Sequence, residues 1–319
     1  MQALQVVKFG EFPQFCEIET PRPASHQVLL RIEACGLNFA DLLMIKGTYQ
    51  DTPPPPFTLG LELSGEIIEL GRDVTTFHQG QKVAVYSGQG GLAEFGVFDS
   101  DRCIAIPTGV SMTNAAAIQI AYGTTHLALD HRANLKAGET LAVLGAGGGV
   151  GLAAVEIGKK MGARVIAVAR GKEKRAAASL AGADHVIDAD IEDLRDQIKS
   201  FGGADVVYDP VGGNQFSDAF RATNPDGRIL IIGFASGNLP EIKANHMMVK
   251  NISVVGVNWG AYLKFNPKIL RESLTTLMRW SSEGQLHPNV SNMLPFTQAL
   301  HGLSLLKDRK ATGKVVIQM

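Results

Sequence analysis

The densest chemical signal in this 319-residue chain is LGAGGGVGLAAV, residues 144–155. Its glycines recur at the spacing a phosphate-cradling turn requires. With Gly151 as the third glycine of a G-x-G-x-x-G turn, Gly148 is the second, Ala146 holds the first position, and Gly149 and Val150 lie between. Small residues there let the backbone turn sharply and approach a pyrophosphate, whose charge is met by free N–H groups and the positive end of the helix that follows. The residues expected at a dinucleotide are therefore Ala146, Gly148, Gly149, Val150 and Gly151. About 20 residues further on, an acid would accept a hydrogen bond from the ribose 2′-hydroxyl, whereas a 2′-phosphate calls for cations. The sequence there is VIAVARGKEKR, with no acid before Glu173 and with Arg170, Lys172, Lys174 and Arg175 clustered. This predicts NADPH rather than NADH, with Arg170 and Lys174 as phosphate contacts. Lys172 and Arg175 read as the solvated start of a helix.

The surrounding pattern supplies the elements that would position such a turn. From about Thr140 to Val257, strand-like runs (TLAVLGA, ARVIAVA, DHVID, ADVVYD, RILIIGF, SVVGV) alternate with helical ones. Strands alternating with helices imply βαβ units and a parallel sheet, and six strands make it doubly wound. The first 120 residues instead carry short apolar runs (QVLLRIEACG, SGEIIELG, QKVAVYSG, RCIAIP) between Gly, Pro and Asp turns, as a β-rich domain would. Lys268 to Glu283 reads as a helix. GKVVIQM closes the chain as a strand that needs a sheet to join, so the chain is expected to return to its first domain. The fold class is thus α/β, with a β-rich domain of residues 1–121 and 262–319 and a cofactor domain of 122–261.

Composition narrows the function classes. Lys plus Arg is 30 and Asp plus Glu is 31, a net charge of −1, with no basic, aromatic-laced stripe, so nucleic acid is not an expected partner. The three cysteines, Cys16, Cys35 and Cys103, have neither disulfide-framework nor C-x-x-C spacing. A start without signal-peptide order, and an apolar maximum near residues 141–158 broken by glycines and Glu156, lead us to expect a cytoplasmic protein with no membrane partner. The eight histidines show no ligand spacing, and no nucleophile elbow supports a hydrolase.

On the segments GLNFADLLMIKGTY, GLELSGEIIELGRDV, AYGTTHLAL, VYDPVGG and GKVVI, together with the turn ending Gly148-Gly149-Val150-Gly151, the chain resembles the medium-chain dehydrogenase/reductase superfamily, in its zinc-free quinone oxidoreductase (zeta-crystallin-like) branch. The resemblance implies a GroES-like catalytic domain, a Rossmann NADP(H)-binding domain, catalysis in the cleft between them and a homodimer. It implies Asn38 and Tyr49 as neutral hydrogen-bond donors to an oxyanion, and Asp41 as a residue that orients Asn38 or closes a loop. It further implies Tyr122, Thr125, Gly233, Phe234 and Asn258 as cofactor contacts. Where zinc-dependent members carry a Cys and a His, this sequence has Asn38 and Leu61, neither of which ligates Zn²⁺, so no metal is expected. Where some members place a tyrosine after the third strand, VIDAD has Ala189.

The activity expected on this basis is NADPH-dependent hydride transfer to quinones or related conjugated carbonyls. Two alternatives stay open: reduction of enoyl thioesters or other alkenes, with Tyr49 supplying the proton, and a non-catalytic structural or RNA-binding role.

Overall fold

The computed structural model describes residues 1–319. In the first 120 residues the strands are β1 (Gln2–Val6), β2 (Gln14–Glu17), β3 (Gln27–Leu37), β4 (Phe57–Thr58), β5 (Glu62–Leu70), β6 (Lys82–Tyr86), β7 (Phe95–Asp99) and β8 (Cys103–Ala105), with helix α1 (Phe39–Ile45) after β3. Helix α2 (Met112–His126) leads into the alternating region: β9 (Thr140–Val143), α3 (Gly149–Lys160), β10 (Arg164–Ala169), α4 (Lys172–Leu180), β11 (His185–Asp188), α5 (Leu194–Ser200), β12 (Ala204–Asp209), α6 (Gly213–Ala222), β13 (Thr223–Ile231), α7 (Ala244–Lys250) and β14 (Ser253–Gly256). Helices α8 (Tyr262–Phe265) and α9 (Pro267–Ser282), strand β15 (Val290–Pro295), helix α10 (Ala299–Lys307) and strand β16 (Lys314–Gln318) complete the chain. No helix is long and apolar enough to cross a membrane.

The chain divides into two compact units, residues Met1–Ile120 with Leu274–Met319, and Ala121–Ser273. The first division lies one residue from the position read in the sequence. The second lies at 273/274 rather than 261/262, because α8 and the start of α9 pack with the second unit: the Tyr262 ring meets His131 edge-on at 5.9 Å, and His126 Nδ1 lies 2.8 Å from Ser273 Oγ.

The second unit holds a six-stranded sheet, all parallel, in the order β11-β10-β9-β12-β13-β14. Its central strands are apolar on both faces, as a sheet covered by helices on each side requires; every residue of β9 is buried. One core cluster joins Ile166, Val168, Val207 and Ile229 of the strands to Phe216 and Phe220 of α6.

The first unit holds a seven-stranded sheet in the order β15-β16-β3-β5-β6-β8, with β7 also on β3, and a small sheet β2-β1-β4. The closing strand enters here: β16 runs antiparallel to β3, with Val316 opposite Gly36 and Ile317 opposite Cys35. The long β3 is buried along most of its length and reaches from the core cluster around Leu30, Ile32 and Val85 to the segment that begins at Asn38.

Candidate active site and dinucleotide-binding turn

In the second unit the strand order reverses between β9 and β12, and open parallel sheets bind ligands beyond the carboxyl ends of their strands at such a point. The turns leaving these two strands adjoin, since a Cβ built at Gly145 would lie 2.8 Å from Val211 Cγ2. Helix α3 starts at Gly149 with Gly148 as its N-cap, so the amides of its first turn lack intrahelical carbonyl partners and can meet an anion. At Gly151 an added Cβ would collide with Gly145 O and sit 2.7 Å from Ala146 Cα, which makes glycine the one residue that fits. Ala146 keeps its methyl group buried beneath that contact. The turn is a cradle a side chain would fill, and it fits a pyrophosphate.

Thr125 braces this turn from α2. Its Oγ1 lies within hydrogen-bond distance of the carbonyls of Ala121 (2.8 Å) and Val150 (3.3 Å) and of the Tyr208 hydroxyl on β12 (2.9 Å). Tyr122 is buried, and its hydroxyl donates to Glu156 Oε2 on α3 at 2.5 Å, so that hydroxyl is engaged with the helix.

The basic cluster takes a definite arrangement. Lys174 lies alongside the glycine turn, its Cγ 2.8 Å from where a Cβ at Gly147 would stand. Arg170 Nε donates to Asp190 Oδ1 at 2.8 Å, both side chains being exposed. Arg175 forms an ion pair with Asp188 at the end of β11 instead of standing in solvent. The two aspartates flank Ala189, so this chain puts anions on either side of it.

Beyond β13, Gly233 N donates to Asp209 O at 3.3 Å, and the half-exposed Phe234 ring lies 3.5 Å from where a Cβ at Gly212 would stand. Asn258 Oδ1 accepts from Ala261 N at 3.3 Å, a local cap after β14. At the end of β12, Asp209 Oδ1 accepts from Val211 N (2.7 Å) and Gly212 N (2.9 Å), while its buried Oδ2 has no partner and burial raises its pKa. Asp209 and Tyr208 escaped the sequence reading, because nothing in VYDPVGG separates a turn-shaping aspartate from a solvated one.

In the first unit, Asn38 is the N-cap of α1, and Asp41 is its third helical residue. Asp41 Oδ2 accepts from Asn38 N at 2.8 Å and its Oδ1 from Gly60 N at 3.3 Å, so the carboxylate both holds Asn38 and ties α1 to the 60 loop. Burial pushes the Asp41 pKa up to about 7, against the two backbone N–H groups and Lys314, which favour the charged form.

The Asn38 side chain departs from the oxyanion-donor role expected for it. Its amide nitrogen donates to Glu62 Oε1 at 2.8 Å and Gly36 O at 3.2 Å, and its Oδ1 accepts from Lys314 Nζ at 2.9 Å. An amide has two N–H donors, and both are engaged. The sequence showed Asn38 but neither Glu62 nor Lys314 as its partner, since they stand 24 and 276 residues away. Of the two donors expected in this segment Tyr49 is left, and it follows the turn at 46–48 that leaves α1. Burial, then Asp51, raises the Tyr49 pKa, so its phenol stays protonated at neutral pH, and its hydroxyl is hydrogen-bonded to that of Tyr86. Cys35 is buried, and burial raises its thiol pKa, as suits a packing residue.

A zinc ion does not fit here. Leu61 offers only buried alkyl carbon, and the oxygens of Asn38 and Glu62 already face the Lys314 ammonium at 2.9 and 2.5 Å. No group of three or more His, Cys, Asp and Glu residues is arranged to hold a metal ion.

Comparison with known proteins places this geometry. Residues 24–108 match the alcohol dehydrogenase GroES-like domain, and residues 149–282 match the family described as zinc-binding dehydrogenase. Quinone oxidoreductase-like protein 2 homolog of Nematostella vectensis is 39% identical over 307 residues, 94% of this chain and 84% of that protein. Quinone oxidoreductase-like protein 2 of Bos taurus is 36% identical over 312 residues, 96% of this chain and 89% of that protein. Among solved structures, the quinone oxidoreductase of Thermus thermophilus, known also in complex with NADPH, superposes with a TM-score of 0.89 at 32% identity, over 100% of both chains. With both domains matched and relatives similar over nearly its whole length, the chain belongs to the medium-chain dehydrogenase/reductase superfamily, among its quinone oxidoreductase-like members.

Proposed function

We propose that the chain is a cytoplasmic, zinc-independent NADPH oxidoreductase that reduces quinones or related conjugated carbonyls. The observation that carries this reading is the pairing of a pyrophosphate-sized glycine turn with Lys174 against it and Arg170 at the end of β10. Bound NADPH supplies the hydride. The chain's own part is then to bind the dinucleotide through the α3 turn and the 2′-phosphate through Arg170 and Lys174. Tyr49 donates a hydrogen bond to the acceptor oxygen on which negative charge develops. Asn38 and Asp41 hold the segment that presents it.

A second reading is favoured by the Tyr86–Tyr49 hydroxyl pair, which offers a proton to a carbanion as well as a hydrogen bond to an oxyanion. On that reading the acceptor is an activated alkene such as an enoyl thioester. Following NADPH oxidation with 1,4-benzoquinone and with crotonyl-CoA separates the two. A fall in quinone turnover of no more than about a hundredfold in Tyr49→Phe supports the first, because a hydrogen bond to a charged group contributes about 1.5–3 kcal/mol and each 1.4 kcal/mol is about tenfold, while obligatory proton transfer contributes up to about 10⁴-fold. Loss of crotonyl-CoA reduction in the same variant supports the second. If neither acceptor is reduced, the proposed function fails.

We also propose a homodimer formed through the exposed edge of β14. Leu239, Met248 and Val249, each more than 70% exposed, supply apolar surface in the same unit. A monomeric mass by light scattering at micromolar concentration contradicts it.

A further inference from the structure

The ion pair between Lys314 and Glu62 connects the closing strand to the catalytic segment, and no part of the proposed chemistry uses it directly. Lys314 is the first residue of β16, and Glu62 is the first of β5. Their side chains are 4% and 0% exposed, with Nζ 2.5 Å from Oε1. An ammonium has three N–H donors, and all three are placed: on Glu62 Oε1, on Leu37 O at 2.9 Å and on Asn38 Oδ1 at 2.9 Å. Two of the three acceptors thus belong to the residues that enter α1. Glu62 is used as completely, since its Oε1 also accepts from Asn38 Nδ2 and its Oε2 accepts from Ile120 N at 2.7 Å. Gly36 leaves the room this requires, as a Cβ there would stand 2.7 Å from Glu62 Oε1.

Burying such a pair is not a route to stability. Apolar replacement of a buried ion pair is often neutral or stabilising, whereas removal of one partner leaves an uncompensated buried charge and is strongly destabilising. What this pair does specify is the orientation of Asn38. A donor faces its Oδ1 and an acceptor faces its Nδ2, so the amide can neither flip nor leave its rotamer without leaving a buried polar group unpaired. Asn38 caps α1, and the backbone leaving α1 is held by Gly47 N to Met44 O and Thr48 N to Leu43 O, both 3.0 Å, immediately before Tyr49.

We infer that Lys314, with Glu62, is a positioning residue for the reaction: the pair locks Asn38 and so sets the placement of α1 and Tyr49. This rests on the function proposed above for the Tyr49 segment.

The test uses the purified full-length chain and three variants. Lys314→Met leaves Glu62 buried alone and lowers Tm. Lys314→Met combined with Glu62→Gln removes both charges and regains most of that loss. Glu62→Asp keeps both charges but withdraws the carboxylate by one methylene. The expected result is a fall in kcat with the better acceptor of about tenfold or more in every folded variant, with the Kd and KM for NADPH within about twofold of the parent. A merely structural pair predicts kcat recovering together with Tm. The inference is overturned if the double variant or Glu62→Asp is folded with kcat within about twofold of the parent, or if NADPH binding falls in step with kcat. Failure of the functional reading looks different, as the parent chain itself then oxidises NADPH with neither acceptor, which overturns both.

Discussion

Arg170 Nε donates to Asp190 Oδ1 at 2.8 Å, so the cation proposed to receive a 2′-phosphate already has an anionic partner within its own unit. The pair is 61% and 58% exposed, and exposed pairs contribute only about 0–1 kcal/mol. A dianionic phosphate can displace that partner. Asp190→Asn is therefore expected to tighten NADPH binding by about two- to fivefold and to leave NADH unchanged. Titration of each dinucleotide by nicotinamide fluorescence checks it, and equal tightening of both would show that Asp190 acts on something other than the phosphate.

Gly151→Ala should be the most damaging small substitution in the second unit, because the new methyl group would meet backbone, colliding with Gly145 O and standing 2.7 Å from Ala146 Cα, with no side chain able to give way. Overpacking of this kind costs about 1–3 kcal/mol. Here the strain falls on the turn, so the expectation is a lower Tm together with at least about tenfold weaker dinucleotide binding. Gly256→Ala, which meets nothing within 4 Å, is the matched control and should leave dinucleotide binding within error.

Asp41 sets a pH dependence of stability. Its folded-state pKa is raised by burial from 3.8 to about 7, with Glu62 adding to the rise and Lys314 and two backbone N–H groups opposing it. A raised acid contributes stability that is fully present below its unfolded value and is lost as pH climbs from 3.8 to about 7. Across that window the loss is at most about 4 kcal/mol. Tm measured at pH 5 and pH 8 should show a smaller drop in Asp41→Asn than in the parent chain. An identical drop in the two proteins contradicts the assignment.

Where local pattern decides structure, the sequence was readable. The alternation from Thr140 to Val257 became β9 to β14 with intervening helices, and GKVVIQM became a strand in the sheet of the first unit, as a lone terminal strand must. The glycine turn was legible for the same reason, since its chemistry lies within a dozen consecutive residues. Long-range polar pairing was not legible. Nothing local marks Lys314 as the partner of a glutamate 252 residues away, and without that partner Asn38 reads as a free donor. Likewise the division after residue 273 depends on the contacts Tyr262 and Ser273 make with α2 and the π-helical turn at 127–132 that follows it, and no spacing rule reports those contacts.

On the function proposed here, the positive charge at the end of the second parallel strand receives the 2′-phosphate of the dinucleotide. The most direct measurement is the pair of dissociation constants for NADPH and NADH on the purified chain at one ionic strength. NADPH is expected to bind at least about tenfold tighter, a difference of about 1.4 kcal/mol, with the preference shrinking in an Arg170→Ser, Lys174→Ser double variant. Equal affinities, or a preference for NADH, would contradict it.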